Sequence, residues 1–274
     1  VAEQRAAVVR ARRGPRIEKE KVQPAPWERE TWVDEGSLRD IAREATERAG
    51  GVRSTGDETR RRPSGELDPV VVAEVQREAG PGRAARYHER LLSAGEALER
   101  GRFDDARRMV QSVLRDLPNI ALAHEIAGLS FYGKGEWRKA AAELEAARSL
   151  EQGVRLHAVL ADCYRAMRRY DMVQQLWQEL RSASPSHALM AEGRIVAAGA
   201  LADQGDLTGA LEVLAKAREV PRKPRDHHLR QWYVLADLLD RSGDIIEARR
   251  YFGLVAGVDA EYSDVRQRLA ALGR

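Results

Sequence analysis

The sequence predicts an all-α fold: a right-handed superhelical solenoid of about five helix pairs, closed by a C-terminal capping helix. Three observations carry that prediction. Ala, Leu, Arg and Glu dominate, while 5% of residues are aromatic and 32% are charged. Such side chains lose little rotamer freedom in a helix, so the mix favours helices over sheets. One apolar pattern recurs at a spacing near 34 residues, and a turn signal stands just ahead of most copies.

The N-terminal part reads differently from the rest. Residues 1–65 are expected to be a largely disordered, charged segment, with prolines at 15, 24, 26 and 63 and the run Arg60-Arg61-Arg62. Residues 1–21 hold seven basic and three acidic side chains. They lack the apolar core of a secretory signal. The chain opens on Val rather than Met, so a start upstream or at an alternative codon is expected. A short helix at 38–48 is predicted inside this segment, with Ser37 as N-cap, Asp40 three residues on, and Leu38, Ile41, Ala42 and Ala45 on one face. Trp27 and Trp32 stand just before it. Residues 66–86 are expected to form a short helix leading into the array, with Val71, Val72 and Val75 on one face.

The repeats follow over 87–260. From Phe103, steps of +3, +7, +10 and +15 reach Ala106, Val110, Val113 and Pro118. The same steps from Trp137 reach Ala140, Leu144, Ala147 and Gln152; from Tyr170 they reach Val173, Trp177, Leu180 and Pro185. From Leu207 they give Ala210, Leu214, Ala217 and Arg222, and from Ile245 they give Ala248, Phe252, Val255 and Ala260. The five anchors lie 34, 33, 37 and 38 residues apart. Steps of +3, +7 and +10 draw one apolar stripe along a helix of 3.6 residues per turn. A small residue at +3 admits a neighbouring helix, and the larger one at +7 fills the gap beside it. Gly101, Gly135, Gly205 and Gly243 stand two residues before their anchors, where a helix-ending turn requires positive φ. Pro118 and Pro185 stop their helices, since proline disfavours helical geometry in the residue before it. Six residues before each anchor stand Ala97, Phe131, Tyr164, Leu201 and Leu239, on a first helix antiparallel to the second. The longer last spacings predict insertions between helices, around Ser184-Pro185-Ser186-His187 and at residues 220–226. Residues 261–274, with Val265, Leu269 and Leu272, are expected to form the cap.

This pattern resembles the tetratricopeptide repeat, whose unit is about 34 residues long. The matching features are the small residues in each first helix (Ala127-Gly128, Ala197-Ala198), the aromatic anchor, the small residue at +3 and the terminal proline. Departures exist. A Trp early in the unit occurs only as Trp232, the proline is missing from three units, and Arg168 replaces the turn glycine of the third. The Ala, Arg and Gly content suggests a bacterial, GC-rich source.

The composition excludes several function classes. The 46 basic and 43 acidic residues leave a net charge of +3, so charge alone calls for no nucleic acid. Cys163 is the only cysteine, which precludes an intramolecular disulfide or a Cys-rich zinc site. No apolar run reaches the roughly 20 residues of a membrane span, and a cytoplasmic protein is expected. Histidines 88, 124, 157, 187, 227 and 228 make no i,i+4 ligand pattern, and the adjacent rings of His227 and His228 are expected to point apart. His124 and His157 take matching positions in successive first helices, which suggests a packing role. There is no nucleophile elbow, phosphate-binding glycine loop or dinucleotide fingerprint, so no enzyme, cofactor or metal is predicted.

The expected function is a non-catalytic scaffold that takes a peptide or helix on the concave face, lined by the first helices. Helical spacing nominates Leu122, Glu125, Leu129 and Tyr132 in the second unit, and Arg155, Asp162 and Arg165 in the third. The fourth offers Glu192 and Ile195, and the fifth Arg230, Tyr233 and Asp237. A chaperone's terminal carboxylate, which some tetratricopeptide proteins clamp with Lys and Asn, is not the expected ligand, because Leu91 and Gly95 fall at those positions. Two alternatives stay open: nucleic-acid association through the basic tail, and a tail whose Trp27, Trp32 and 38–48 helix dock on a partner or in the groove.

Overall fold

The computed structural model describes residues 67–151 and 153–273, and the predicted 38–48 helix lies outside them. Among the described residues every regular element is a helix and no strand occurs. Helix α1 (Pro69–Ala79) is capped by Asp68, whose carboxylate accepts the Val70 N–H at 2.9 Å. Five pairs follow: α2 (Pro81–Glu99) with α3 (Phe103–Asp116), α4 (Ala121–Gly133) with α5 (Trp137–Leu150), and α6 (His157–Ala166) with α7 (Tyr170–Ala183). Next come α8 (His187–Asp203) with α9 (Leu207–Val213), then α10 (Asp226–Ser242) with α11 (Ile245–Val258), and finally α12 (Val265–Leu272). Each anchor of the sequence pattern is the first residue of a second helix.

The turns explain why. Gly101, Gly135, Gly205 and Gly243 have φ between 70° and 88°. At each, the N–H after the positive-φ residue closes back on the residue six before the anchor, as in Arg102 N–H to Ala97 O at 2.8 Å and Glu136 N–H to Phe131 O at 2.9 Å. This double closure satisfies carbonyls that the helix end leaves without partners. Arg168 makes the same closure at φ 58°, with Arg169 N–H donating to Tyr164 O at 2.8 Å. A side chain pays roughly 1–2 kcal/mol for that conformation. Glycine loses more chain entropy on folding but escapes the clash. Arg168→Gly is therefore expected to stabilise the protein by about 0.5–1 kcal/mol, read as a higher urea midpoint at unchanged slope.

The +3, +7 and +10 positions form the interior. Ala106, Ala140, Val173, Ala210 and Ala248 are buried, as are Val110, Leu144, Trp177, Leu214 and Phe252 and then Val113, Ala147, Leu180, Ala217 and Val255. A side chain of the larger kind contributes about 1.5–3 kcal/mol when buried. The small first-helix residues let the pairs cross closely: a Cβ on Gly128 would stand 2.7 Å from Leu144 Cγ. Helix α4 is mostly apolar and buried over most of its circumference, with His124, Phe131 and Gly133 left partly exposed.

Two details differ from the sequence expectation. The connection at Ser184-Pro185-Ser186 is only three residues long and its surplus goes instead into α8, while the last surplus is shared between the expected connection at 219–225 and α10; α8 and α10 each have 17 residues against 13 in α4. The second helix of the fourth unit also breaks after Val213 and tightens into a 3-10 turn, Ala215–Arg218, with Ala217 N–H on Leu214 O at 2.8 Å. Such a turn satisfies terminal carbonyls before the chain enters the proline-bearing loop at 219–225.

Candidate functional site

The polar residues nominated for the first-helix face form a rail from unit to unit. Arg155 places both terminal nitrogens on the Glu125 carboxylate at 2.5 Å, a bidentate geometry that fixes direction as well as charge. Tyr132 donates its hydroxyl to Asp162 at 2.5 Å. Arg165 lies 3.5 Å from Asp162 and reaches on to Asp203, with Nε at 2.7 Å and Nη2 at 3.2 Å from its oxygens. Gly199 leaves the passage for that guanidinium, since a Cβ there would stand 2.7 Å from Arg165 Cζ. Arg230 meets Glu192 at 2.6 Å, Tyr233 donates to Asp264, and Arg268 binds Asp237 at 2.6 Å and Asp240 at 3.2 Å.

The structure thus joins Glu125 with Arg155, Tyr132 with Asp162 and Arg165, and Glu192 with Arg230. Leu122, Glu125, Leu129, Tyr132, Glu192, Ile195, Arg230 and Tyr233 are buried. Arg155, Asp162, Arg165 and Asp237 remain partly exposed. Helical spacing tells which residues share a face; whether a neighbouring helix covers that face is a tertiary property. Helical spacing does not nominate Asp203, Asp264, Arg268 or Asp240. The signal for them is a partner of complementary chemistry one unit away, 28 to 38 residues along the chain.

Electrostatics follow from this enclosure. Burial pushes the Asp162 carboxyl up, against the opposing pull of Arg165 and the Tyr132 hydrogen bond. Burial and then the Asp264 hydrogen bond hold the Tyr233 hydroxyl far above the usual phenol range. Burial likewise raises the Cys163 thiol well above its ordinary value, so it stays protonated.

His124 and His157 each bind a glutamate on the second helix of their own unit, yet their pKa values shift in opposite directions. His124 faces two acceptors, Glu143 Oε2 at 2.7 Å and Pro118 O at 2.9 Å. Two acceptors require two N–H donors, hence an imidazolium. The Glu143 hydrogen bond accordingly raises its pKa. His157 donates from Nε2 to Glu179 at 2.9 Å while its buried Nδ1 has no partner among the described residues. Burial lowers its pKa despite Glu179.

The linkage has opposite signs at the two sites. The His124 contribution is fully present below the unfolded pKa and fades as pH rises through the folded one. His157 stays neutral where the unfolded chain takes up a proton, so its contribution is lost as pH falls. In urea denaturation between about pH 5 and 8, the deficit of His124→Gln is expected to grow toward acid, and that of His157→Gln to shrink. Parallel trends would contradict the two opposite shifts.

Among the described residues no group of three His, Cys, Asp or Glu is placed to hold a metal ion, and no helix is long and apolar enough to cross a membrane.

No protein-family model matches the sequence, and no curated protein does. Solved structures do resemble it. TTC0263, a thermophilic TPR protein of Thermus thermophilus, superposes with a TM-score of 0.54 at 17% identity, covering 68% of this chain and 98% of its own. PilF of Pseudomonas aeruginosa gives 0.52 at 19% identity, covering 70% and 90%. These likenesses show the fold.

Proposed function

We propose, for a chain with the fold of a tetratricopeptide array, a non-catalytic, cytoplasmic scaffold that binds another protein, as a peptide or helix, along its first-helix face. The observation that carries this reading is the rail itself. Arg155 and Asp162 stay partly open while the buried Glu125 and Tyr132 hold them in one geometry, and Arg165 and Asp237 are held by Asp203 and Arg268, which are themselves not buried. Fixed charges of alternating sign lose little entropy when a ligand arrives and select its register more than its bulk affinity. Leu122, Leu129 and Ile195 shape the helices from beneath, Glu125 and Tyr132 hold Arg155 and Asp162 in place, Glu192 and Arg230 pair with each other, and Tyr233 anchors Asp264. The mix of signs fits an amphipathic ligand better than a uniformly acidic one.

Photo-crosslinking tests the reading directly. A benzoylphenylalanine at position 155 or 237 of the full chain is expected to give discrete, nuclease-resistant protein adducts in a native lysate. The same group at the exposed second-helix positions 138 and 178 should not. Adducts confined to the second helices, or adducts removed by nuclease, would sink it.

A further inference from the structure

A second surface lies beside the Glu192–Arg230 pair, at the loop between the 3-10 turn and α10. Residues 216 to 230 hold six Lys or Arg against two acidic residues, Glu219 and Asp226. Arg222, Lys223 and Arg225 are all exposed and have no ion-pair partner among the described residues. Elsewhere many cations are spoken for, as Arg148 is by Glu145 and Glu179. Pro221 and Pro224 restrict the loop backbone, so its charges are displayed at low ordering cost.

Three imidazoles border the loop. His187 opens α8 and is exposed; His227 and His228 occupy the first turn of α10, half-buried. Their rings do not point apart, as adjacency suggests, but lie face toward face at 4.0 Å with a 35° tilt. Burial, then the positive charge of His228, Arg230, Arg225 and His187, pushes His227 down to about 4. At neutral pH it is an uncharged hydrogen-bonding group in a positive field. From α8, Glu192 is engaged by Arg230, and Arg194 faces Gln231 at 3.4 Å.

We propose that the 220–226 loop, with His187, His227 and His228, is a docking surface for an acidic segment of a partner protein. Guanidinium groups recognise carboxylates through paired hydrogen bonds, and exposed Val220 adds an apolar contact beside them. Single-stranded nucleic acid would stack its bases on open aromatic rings; Trp232 and Tyr251 are buried, His227 and His228 are half-buried against each other, and His187 alone of the loop's imidazoles is exposed. The surface adjoins the Glu192–Arg230 pair of the rail but uses none of the rail's partly open residues, so the variants that test it leave the rail intact.

Fluorescence anisotropy on the full chain, with a fluorescein-labelled peptide of alternating Glu and Asp, tests it. The triple variant R222E/K223E/R225E is expected to weaken binding by about tenfold or more, with an unchanged circular dichroism spectrum. The control R115E/R138E/R249E changes net charge equally at exposed sites elsewhere, and should stay within about twofold of the parent. Equal losses in both variants would reduce the effect to net charge and overturn the proposal. So would no measurable binding by the parent chain, or tighter binding of a DNA oligonucleotide that the loop variant abolishes.

Discussion

Arg165→Met is expected to destabilise the protein by on the order of 3 kcal/mol, because it removes a cation set between two carboxylates. Methionine keeps much of the aliphatic stem, so the loss measures charge rather than volume. Asp162 is left enclosed with the Tyr132 hydroxyl, and Asp203 loses a contact at 2.7 Å. Burial already raises the Asp162 pKa while Arg165 opposes it, so the variant's Asp162 should titrate higher still. A carboxyl with a raised folded pKa binds protons more tightly in the native state, and its penalty is relieved as pH falls. Urea midpoints of variant and parent should accordingly converge from about pH 7 toward pH 5. A second change, Asp162→Asn, should recover part of the loss in the Arg165→Met background, since a neutral amide tolerates the enclosure that a bare carboxylate does not. A deficit independent of pH and unrelieved by Asp162→Asn would mean that Arg165 acts only through packing.

How much of this is legible in the sequence depends on the range of the interaction. Helix starts, turns and the buried stripe are local, set by 3.6-residue periodicity and by φ at single positions. They are readable from Phe103, Trp137, Tyr170, Leu207 and Ile245 outward, and even Arg168 stands out by occupying the place of a glycine. The rail is not local. Glu125 and Arg155 are 30 residues apart, and Arg165 and Asp203 are 38 apart, so each contact exists only once successive pairs have stacked. Spacing places Tyr132 and Tyr233 on a face but does not show that the next unit encloses them. The His124 and His157 pair illustrates the same limit: equivalent positions share a glutamate partner, while the Pro118 carbonyl beside His124 and the burial and Arg148 charge at His157 send the two pKa shifts in opposite directions.

Stacking also decides how damage spreads, and Trp232→Ala is expected to show it. Trp232 is 1% exposed and the largest of the fully buried side chains, so its truncation should cost about 3–5 kcal/mol. The apolar interior gathers into two large groups that meet on helix α8. One cluster runs from Leu67 through Ala200, a second from Ile195 to Val265, and only Trp177, Leu180 and Ala197 form a small patch between them. Repeat arrays are stabilised by intrinsic unit terms and nearest-neighbour contacts, so one side of the array can open while the other stays folded. Hydrogen exchange of the variant should therefore accelerate in α10 and α11 by about a hundredfold or more, with α3 to α5 left near parent rates. Uniform acceleration along the chain would instead show the two clusters folding as one cooperative block. In the first case the rail is divisible: Glu125–Arg155 and Tyr132–Asp162 remain formed while Glu192–Arg230 and Tyr233–Asp264 come and go. A ligand that spans the whole first-helix face would then bind the variant more weakly by the free energy needed to close the second half, and a ligand seated on α4 and α6 alone would not notice.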